Sequence, residues 1–229
     1  GAAGNCGPTH GFIGEVAVAK WLGERLGLEA AKVRLEIDPI PRKERLLEVI
    51  QSGADLGMYD DVPVEEPDDT LRIINTHAKL PVGDFPPVTE AQKEFDAVVE
   101  TLKNTRKTGS ESEIKLAVSN AKRAGFVLSN AIRTAEGPME MPVQAMRIGP
   151  AALIAIPVEA FCEIGIQVKS NSPAAQTLFS GYTNGYMGYM PMAENFEEGG
   201  YEVTTTPMAA GSAEETINVC TDAINSLWR

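Results

Sequence analysis

The chain has 229 residues, is 43% hydrophobic and carries a formal net charge of −12. That is enough apolar material for one large core or two small ones. The negative field repels nucleic acid and anionic membrane, no run of Lys or Arg offsets it, and no apolar stretch reaches the length of a membrane span.

The opening stretch, "GAAGNCGPTHG", is dense in small residues and begins without a methionine. Such a stretch suits backbone that turns tightly toward a site or another backbone, or else a flexible tail. Its texture is that of a protein interior. The expectation is a chain that starts inside something larger, with any targeting segment upstream.

Residues 11–29 place Phe12, Ile13, Val16, Leu22 and Leu26 near one helical face. At 32–38, Val33, Leu35 and Ile37 alternate with Arg34, Glu36 and Asp38, which predicts a half-buried strand. The prolines after it predict a short helix through "RKERLLEVIQ", ended by Gly53. Residues 59–70, "YDDVPVEEPDDT", read as an acidic, proline-broken loop. Strand character returns at 71–82.

Two helices follow, at 89–107 with Thr89 as N-cap and at 110–134. Ser110 and Glu113 of the second form a capping-box pattern. Together they predict a helical hairpin, at about 89–134, inserted between strands. Beyond it come a strand at 140–148, a turn at Gly149–Pro150, a strand at 151–156 and a helix from near Val158. "AAQTLFSGYT" predicts another strand. A Ser-capped helix closes the chain at 212–228, with Glu214 and Glu215 in its first turn, where the dipole favours anions. The pattern is α/β (mixed α+β), with a central mixed sheet flanked by helices and no linker between two domains.

Chemistry concentrates in two places. Glu159, in "IAIPVEAFCEIG", sits where an apolar strand gives way to a helix. A carboxylate there either projects from the sheet's end, where open sheets place their sites, or simply complements the helix dipole. "GYTNGYMGYM", residues 181–190, holds three of the five tyrosines, and Tyr201 follows. Its glycines let backbone approach a ligand while Tyr182, Tyr186 and Tyr189 offer phenols. The alternative is a β-hairpin with cross-strand aromatic pairs. His10 and His77 have no metal-ligand spacing and read as surface or turn residues. Cys6, Cys162 and Cys220 lie too far apart for a disulfide framework or a Cys-type zinc site, so they are expected to be buried free thiols. Free thiols favour a cytoplasmic location.

Three blocks, "GAAGNCGPTH", "MPVQAMRIGPAALIAIPVEAFCEIG" and "GYTNGYMGYMPMAENFEEGGYEV", resemble successive motifs of the neutral/alkaline ceramidase family in order and spacing. The similarity is nearest to the shorter prokaryotic ceramidase-like proteins. Asn5–Cys6 stand where the family has Asp, and Val158 stands where it has Gly. The resemblance implies the second half of a single catalytic domain over 1–229, without the C-terminal immunoglobulin-like domain of full ceramidases. It implies a zinc-dependent amidohydrolase cleaving a linear N-acyl amide bond with metal-activated water. Glu159 and Tyr189 would be metal ligands, and Tyr201, on a returning strand, would stabilise the oxyanion; Asn184 and Tyr186 would contact substrate. The family's two histidine ligands lie upstream of the first block. An N-terminal half of the same protein, or a companion subunit, is therefore expected to supply them across a large apolar interface, against an unpaired sheet edge. The competing class is a non-catalytic lipid- or sugar-binding module, or an inactive scaffold subunit, using the Tyr/Gly loop at 181–201.

Overall fold

The computed structural model describes residues 1–37, 40–64 and 67–229. The parts of the expected strand, helix and acidic loop that fall on Asp38, Pro39, Glu65 and Glu66 lie outside the described residues. Contacts divide the chain into two compact units, one of Gly1–Cys6 with Thr70–Arg229 and one of Gly7–Asp69.

In the smaller unit, helix α1 runs Val16–Glu36 and is followed by an antiparallel hairpin of β1, Arg42–Gln51, and β2, Asp55–Pro63. This corrects three expectations. The alternating residues Val33 and Leu35 lie in α1, not in a strand. A strand needs a partner edge, whereas "LGLEAAK" is rich in helix formers that satisfy their own backbone, helped by the Lys32–Glu29 pair at 3.6 Å. The expected helix after the prolines is β1, and Gly53, at φ +78°, makes the hairpin turn instead of ending a helix. Residues 59–63 of the expected acidic loop belong to β2, where Asp60 faces its register partner Arg45 across a 3.7 Å ion pair.

The larger unit is built on a four-stranded mixed sheet in the order β3 (Leu71–Leu80), β4 (Met139–Ile148), β5 (Ala151–Ala155), β7 (Gln176–Ser180). β3, β4 and β5 pair antiparallel, and β5 pairs parallel with β7. Between β3 and β4 stands the expected helical hairpin, α2 at Val88–Thr108 and α3 at Glu111–Thr134. Ser110 caps α3 with a complete capping box to Glu113. The N-cap of α2 is Pro87 rather than Thr89, because proline cannot donate and suits that boundary.

After β5 a two-residue strand β6, Glu159–Ala160, precedes helix α4, Cys162–Ser170, which therefore starts four residues later than expected near Val158. Beyond β7 lie β8 at Tyr189–Met190, short helices α5 at Asn195–Glu198 and α6 at Tyr201–Thr205, and α7 at Ser212–Ser226. The N-cap of α7 is Gly211, at φ +94°, and Ser212 instead donates its hydroxyl to Pro81 O. Glu214 and Glu215 do occupy the first turn.

Helices α4 and α7 pack on one face of the sheet. Strand alternation sends Ala78 and Leu80, Met141 and Val143, Ile154 and Phe179 to that side, where they join Ile164, Val168, Ile217 and Ile224 in one buried core. The other face shows Leu71, Ile73, Ile148 and Leu178, each more than half exposed. Cys220 is buried in the core as a free thiol, but Cys6 is exposed and Cys162 only half-buried, which corrects the expectation of three buried thiols. Among the described residues no helix is long and apolar enough to cross a membrane.

Candidate functional site

The site forms because two chain segments cross side by side. β5 and β7 are parallel, and α4 supplies the crossover such pairing needs. Past the sheet the same two paths pair again, β6 with β8, with Glu159 and Tyr189 as register partners. Six backbone bonds stitch the loop to the 156–161 segment. Ile156 N reaches Ser180 O, Tyr182 N reaches Val158 O, and Thr183 N reaches Ile156 O. Met187 N reaches Pro157 O, Glu159 N reaches Gly188 O, and Phe161 N reaches Met190 O. The loop is thus a wrapped crossover and not a hairpin, since β7 and β8 pair with different neighbours.

Its glycines answer to this proximity. A Cβ on Gly181 would lie 2.9 Å from Val158 O and 3.1 Å from Gly1 O. Gly188 has φ +103° and a Cβ there would lie 3.1 Å from the Pro207 ring. Tyr182 and Asn184, at φ +55° and +62°, hold left-handed conformations that side-chain-bearing residues rarely adopt. Val158, standing where the related motif has Gly, is fully buried and joins the core.

Three phenols gather at Glu159, and Tyr201 stands behind one of them. Tyr186 donates its hydroxyl to Glu159 Oε1 at 2.8 Å, and its ring stacks on Tyr182 at 6.1 Å and 13°. Tyr189 is the register partner of Glu159, and Tyr201 meets the Tyr189 ring edge-on at 6.0 Å. Phenol acidity follows. Burial, then the neighbouring carboxylate, pushes Tyr182 and Tyr186 up to about 12. For Tyr189 the Glu159 carboxylate outweighs burial, and its phenol is held well above the ordinary value. All three are therefore neutral donors at physiological pH.

Tyr201 does not come from a returning strand. Gly199 and Gly200, at φ +73° and +112°, turn the chain into α6, whose first residue it is. Two residues of α3 fix that region, and no sequence pattern pointed to them. Buried Asn130 donates to Thr205 O and Thr206 O at 3.1 and 3.2 Å, and Arg133 donates to Met187 O at 2.9 Å. Thr206 Oγ1 in turn donates to Tyr189 O at 2.6 Å.

Gly4 of the N-terminal stretch donates its N–H to Ala160 O at 2.7 Å, and a Cβ on it would fall 2.5 Å from Glu159 O. The density of small residues there therefore serves close passage along β6. Asn184 lines a separate hollow of about 80 Å³ with Asn75, His77 and Gln144. His77 is exposed on β3, and His10 lies in the smaller unit with its ring 6.4 Å from that of Trp21. Phe161, Phe179 and Met190 are buried. A groove of about 810 Å³ runs between α2 and α3, lined by Ala91, Val98, Leu116 and Ala117 among others, and includes none of the tyrosines.

Glu159 and Tyr189 are two oxygen donors that a divalent cation accepts, and they stand on adjacent backbones. Among the described residues no group of three His, Cys, Asp or Glu side chains is arranged to hold a metal ion. This chain would therefore offer zinc at most these two oxygens, where hydrolytic sites use about three ligands and favour nitrogen.

No protein-family model matches the chain, and no curated protein matches it. Among solved structures it is similar to a ceramidase complexed with C2, at 22% identity over 40% of this chain and 15% of that one, with a TM-score of 0.37. A neutral ceramidase from Pseudomonas aeruginosa is similar at 23% identity over 39% and 15%, with a TM-score of 0.36. The chain spans about 15% of the length of these structures, and an overlap so partial brings neither fold nor function to it.

Proposed function

We propose that this chain contributes the carboxylate and phenol half of a zinc-dependent hydrolase site acting on a linear N-acyl amide, in the manner of ceramidases. The observation that carries the reading is the register of β6 on β8, which sets Glu159 beside Tyr189 with Tyr201 against it. The resemblance of the three sequence blocks to ceramidase motifs supports it independently.

In this reading Glu159 and Tyr189 would hold the ion, which would supply Lewis acidity for the scissile carbonyl and for a water whose pKa it lowers to ~7. Tyr186 orients the Glu159 carboxylate through its hydroxyl. Tyr201, more than half exposed, is free to turn its hydroxyl to an oxyanion forming in front of Tyr189. Two histidines come from a companion polypeptide, whether the N-terminal half of the same protein or a separate subunit. The exposed row of Leu71, Ile73, Ile148 and Leu178 is the kind of apolar sheet face that such a companion covers.

The second reading is a binding module without metal. It draws on the stacked rings of Tyr182 and Tyr186, each over half exposed, which present a flat platform suited to a sugar face or lipid chain. One pair of variants separates the two. In the complete assembly, Glu159→Ala should lose bound zinc, while Tyr201→Phe should keep it and lose about 10²–10³-fold in N-acyl amide turnover. Equal metal loss in both would show that Tyr201 is misassigned. Zinc-free protein that still binds an acylated or glycosylated ligand would favour the binding module.

A further inference from the structure

Two cysteines far apart in the sequence share one partner beside the candidate site. Asn5 brings them there. Its Oδ1 accepts the backbone N–H of Cys162 at 2.8 Å, the first residue of α4, and lies 3.8 Å from the Sγ of Cys6. Its Nδ2 donates to Glu163 Oε2 at 2.9 Å. One side chain thus caps a helix whose own N-cap, Phe161, offers no side-chain oxygen, and anchors the segment that carries Cys6. The Gly4 bond to Ala160 O and a turn from Cys6 N to Ala3 O at 3.0 Å fix the rest of that segment.

We propose that Cys6 and Cys162 are a thiol–disulfide pair that closes reversibly and pins Gly1–Cys6 against the start of α4. The Asn5 Oδ1 atom is common to both, 3.8 Å from the Cys6 Sγ and 2.8 Å from the Cys162 backbone nitrogen. They differ in access, Cys6 being exposed and Cys162 half-buried. Burial, the Cys6 thiol and the Glu163 carboxylate all hold the Cys162 proton on, in that order of size.

That asymmetry sets the sequence of events with a low-molecular-weight disulfide such as oxidised glutathione as oxidant. Cys6, as thiolate, attacks one glutathione sulfur, forming a mixed disulfide and releasing one glutathione thiolate. Cys162 then gives its proton to solvent and attacks the Cys6 Sγ. The intramolecular bond forms, the mixed disulfide breaks, and a second glutathione thiolate leaves. The two cysteines are oxidised by two electrons, the glutathione disulfide is reduced to two thiols, and those thiols take up the two protons. Cys220, buried in the core with its thiol pushed up to about 12 by burial, takes no part.

The test is peptide mapping of the native chain after exposure to a glutathione redox buffer and alkylation of the remaining thiols. The expected product is a peptide linking Cys6 to Cys162, reversed by excess reduced glutathione. Cys220 should be alkylated only after denaturation, which reports that the fold stayed intact. Cys162→Ser should accumulate a lasting glutathione adduct on Cys6. In Cys6→Ser, Cys162 should react roughly tenfold or more slowly than Cys6 does in the unaltered chain. A lasting glutathione adduct on Cys6 of the unaltered chain, or a Cys6–Cys6 link between two copies, overturns the proposal. So does a Cys6–Cys162 peptide that forms only once Cys220 has become reactive.

Discussion

At the scale of single residues, the site is a carboxylate solvated by phenols. Glu159 accepts a hydrogen bond from Tyr186, and both that bond and the carboxylate's charge favour protonated phenols over phenolates around it. Tyr182 and Tyr186, ordinarily near 10, are held up at about 12 in the folded chain. Below pH ~10 both folded and unfolded chains keep these protons, so the contribution to stability is complete. Above it the unfolded chain releases protons that the folded chain retains, and stability falls as pH rises from about 10 to about 12. Glu159→Gln removes the negative charge and should bring both phenols down toward 10. Alkaline absorbance titration of tyrosinate checks this, and unchanged titration would mean that burial alone sets the shift. Glu159 and Tyr189 were legible in the sequence through the motifs around them. The third phenol, Tyr182, was legible as chemistry but not as a neighbour of Glu159, because its placement depends on a left-handed turn.

Elements decide how firmly those residues are held. The α2–α3 hairpin was plain in the sequence, since 3.6-residue periodicity and the Ser110–Glu113 capping box both act locally. What it does for the site was not. Asn130 and Arg133 act across long sequence separations, and only the fold brings their acceptors within reach. Asn130→Ala leaves the carbonyls of Thr205 and Thr206 without this donor in a buried setting and should cost about 1–3 kcal/mol. Ser110→Ala removes an exposed cap and should cost about 1 kcal/mol. Urea unfolding compares the two, and a larger loss for Ser110→Ala would contradict the anchoring role given to Asn130. Gly188→Ala meets both a forbidden φ and the Pro207 ring, and should destabilise by about 1–3 kcal/mol. A neutral result in the same assay would mean the loop can relax away from β6. Residues 32–37 and 40–63 were misread at this scale. Alternation at Val33–Ile37 and apolar spacing at Leu46–Ile50 fit helix and strand alike, and the choice fell to propensity and hairpin pairing.

For the whole molecule, the strands of the mixed sheet and the helices packed on it follow from patterns that the chain displays openly: short apolar runs, turn residues and an amphipathic closing helix. The crossover loop does not, because parallel pairing through α4 is a long-range choice with no local mark. The central claim is that Glu159 and Tyr189 share one zinc ion whose nitrogen ligands come from a companion polypeptide. Free imidazole can stand in for those nitrogens. Equilibrium dialysis of the chain against buffered zinc, with and without imidazole, should show weak binding that imidazole tightens. The imidazole-dependent gain should disappear in both Glu159→Gln and Tyr189→Phe and persist in Tyr201→Phe. Zinc uptake that ignores the first two substitutions, or tight stoichiometric zinc in the chain without any added nitrogen donor, would contradict the account.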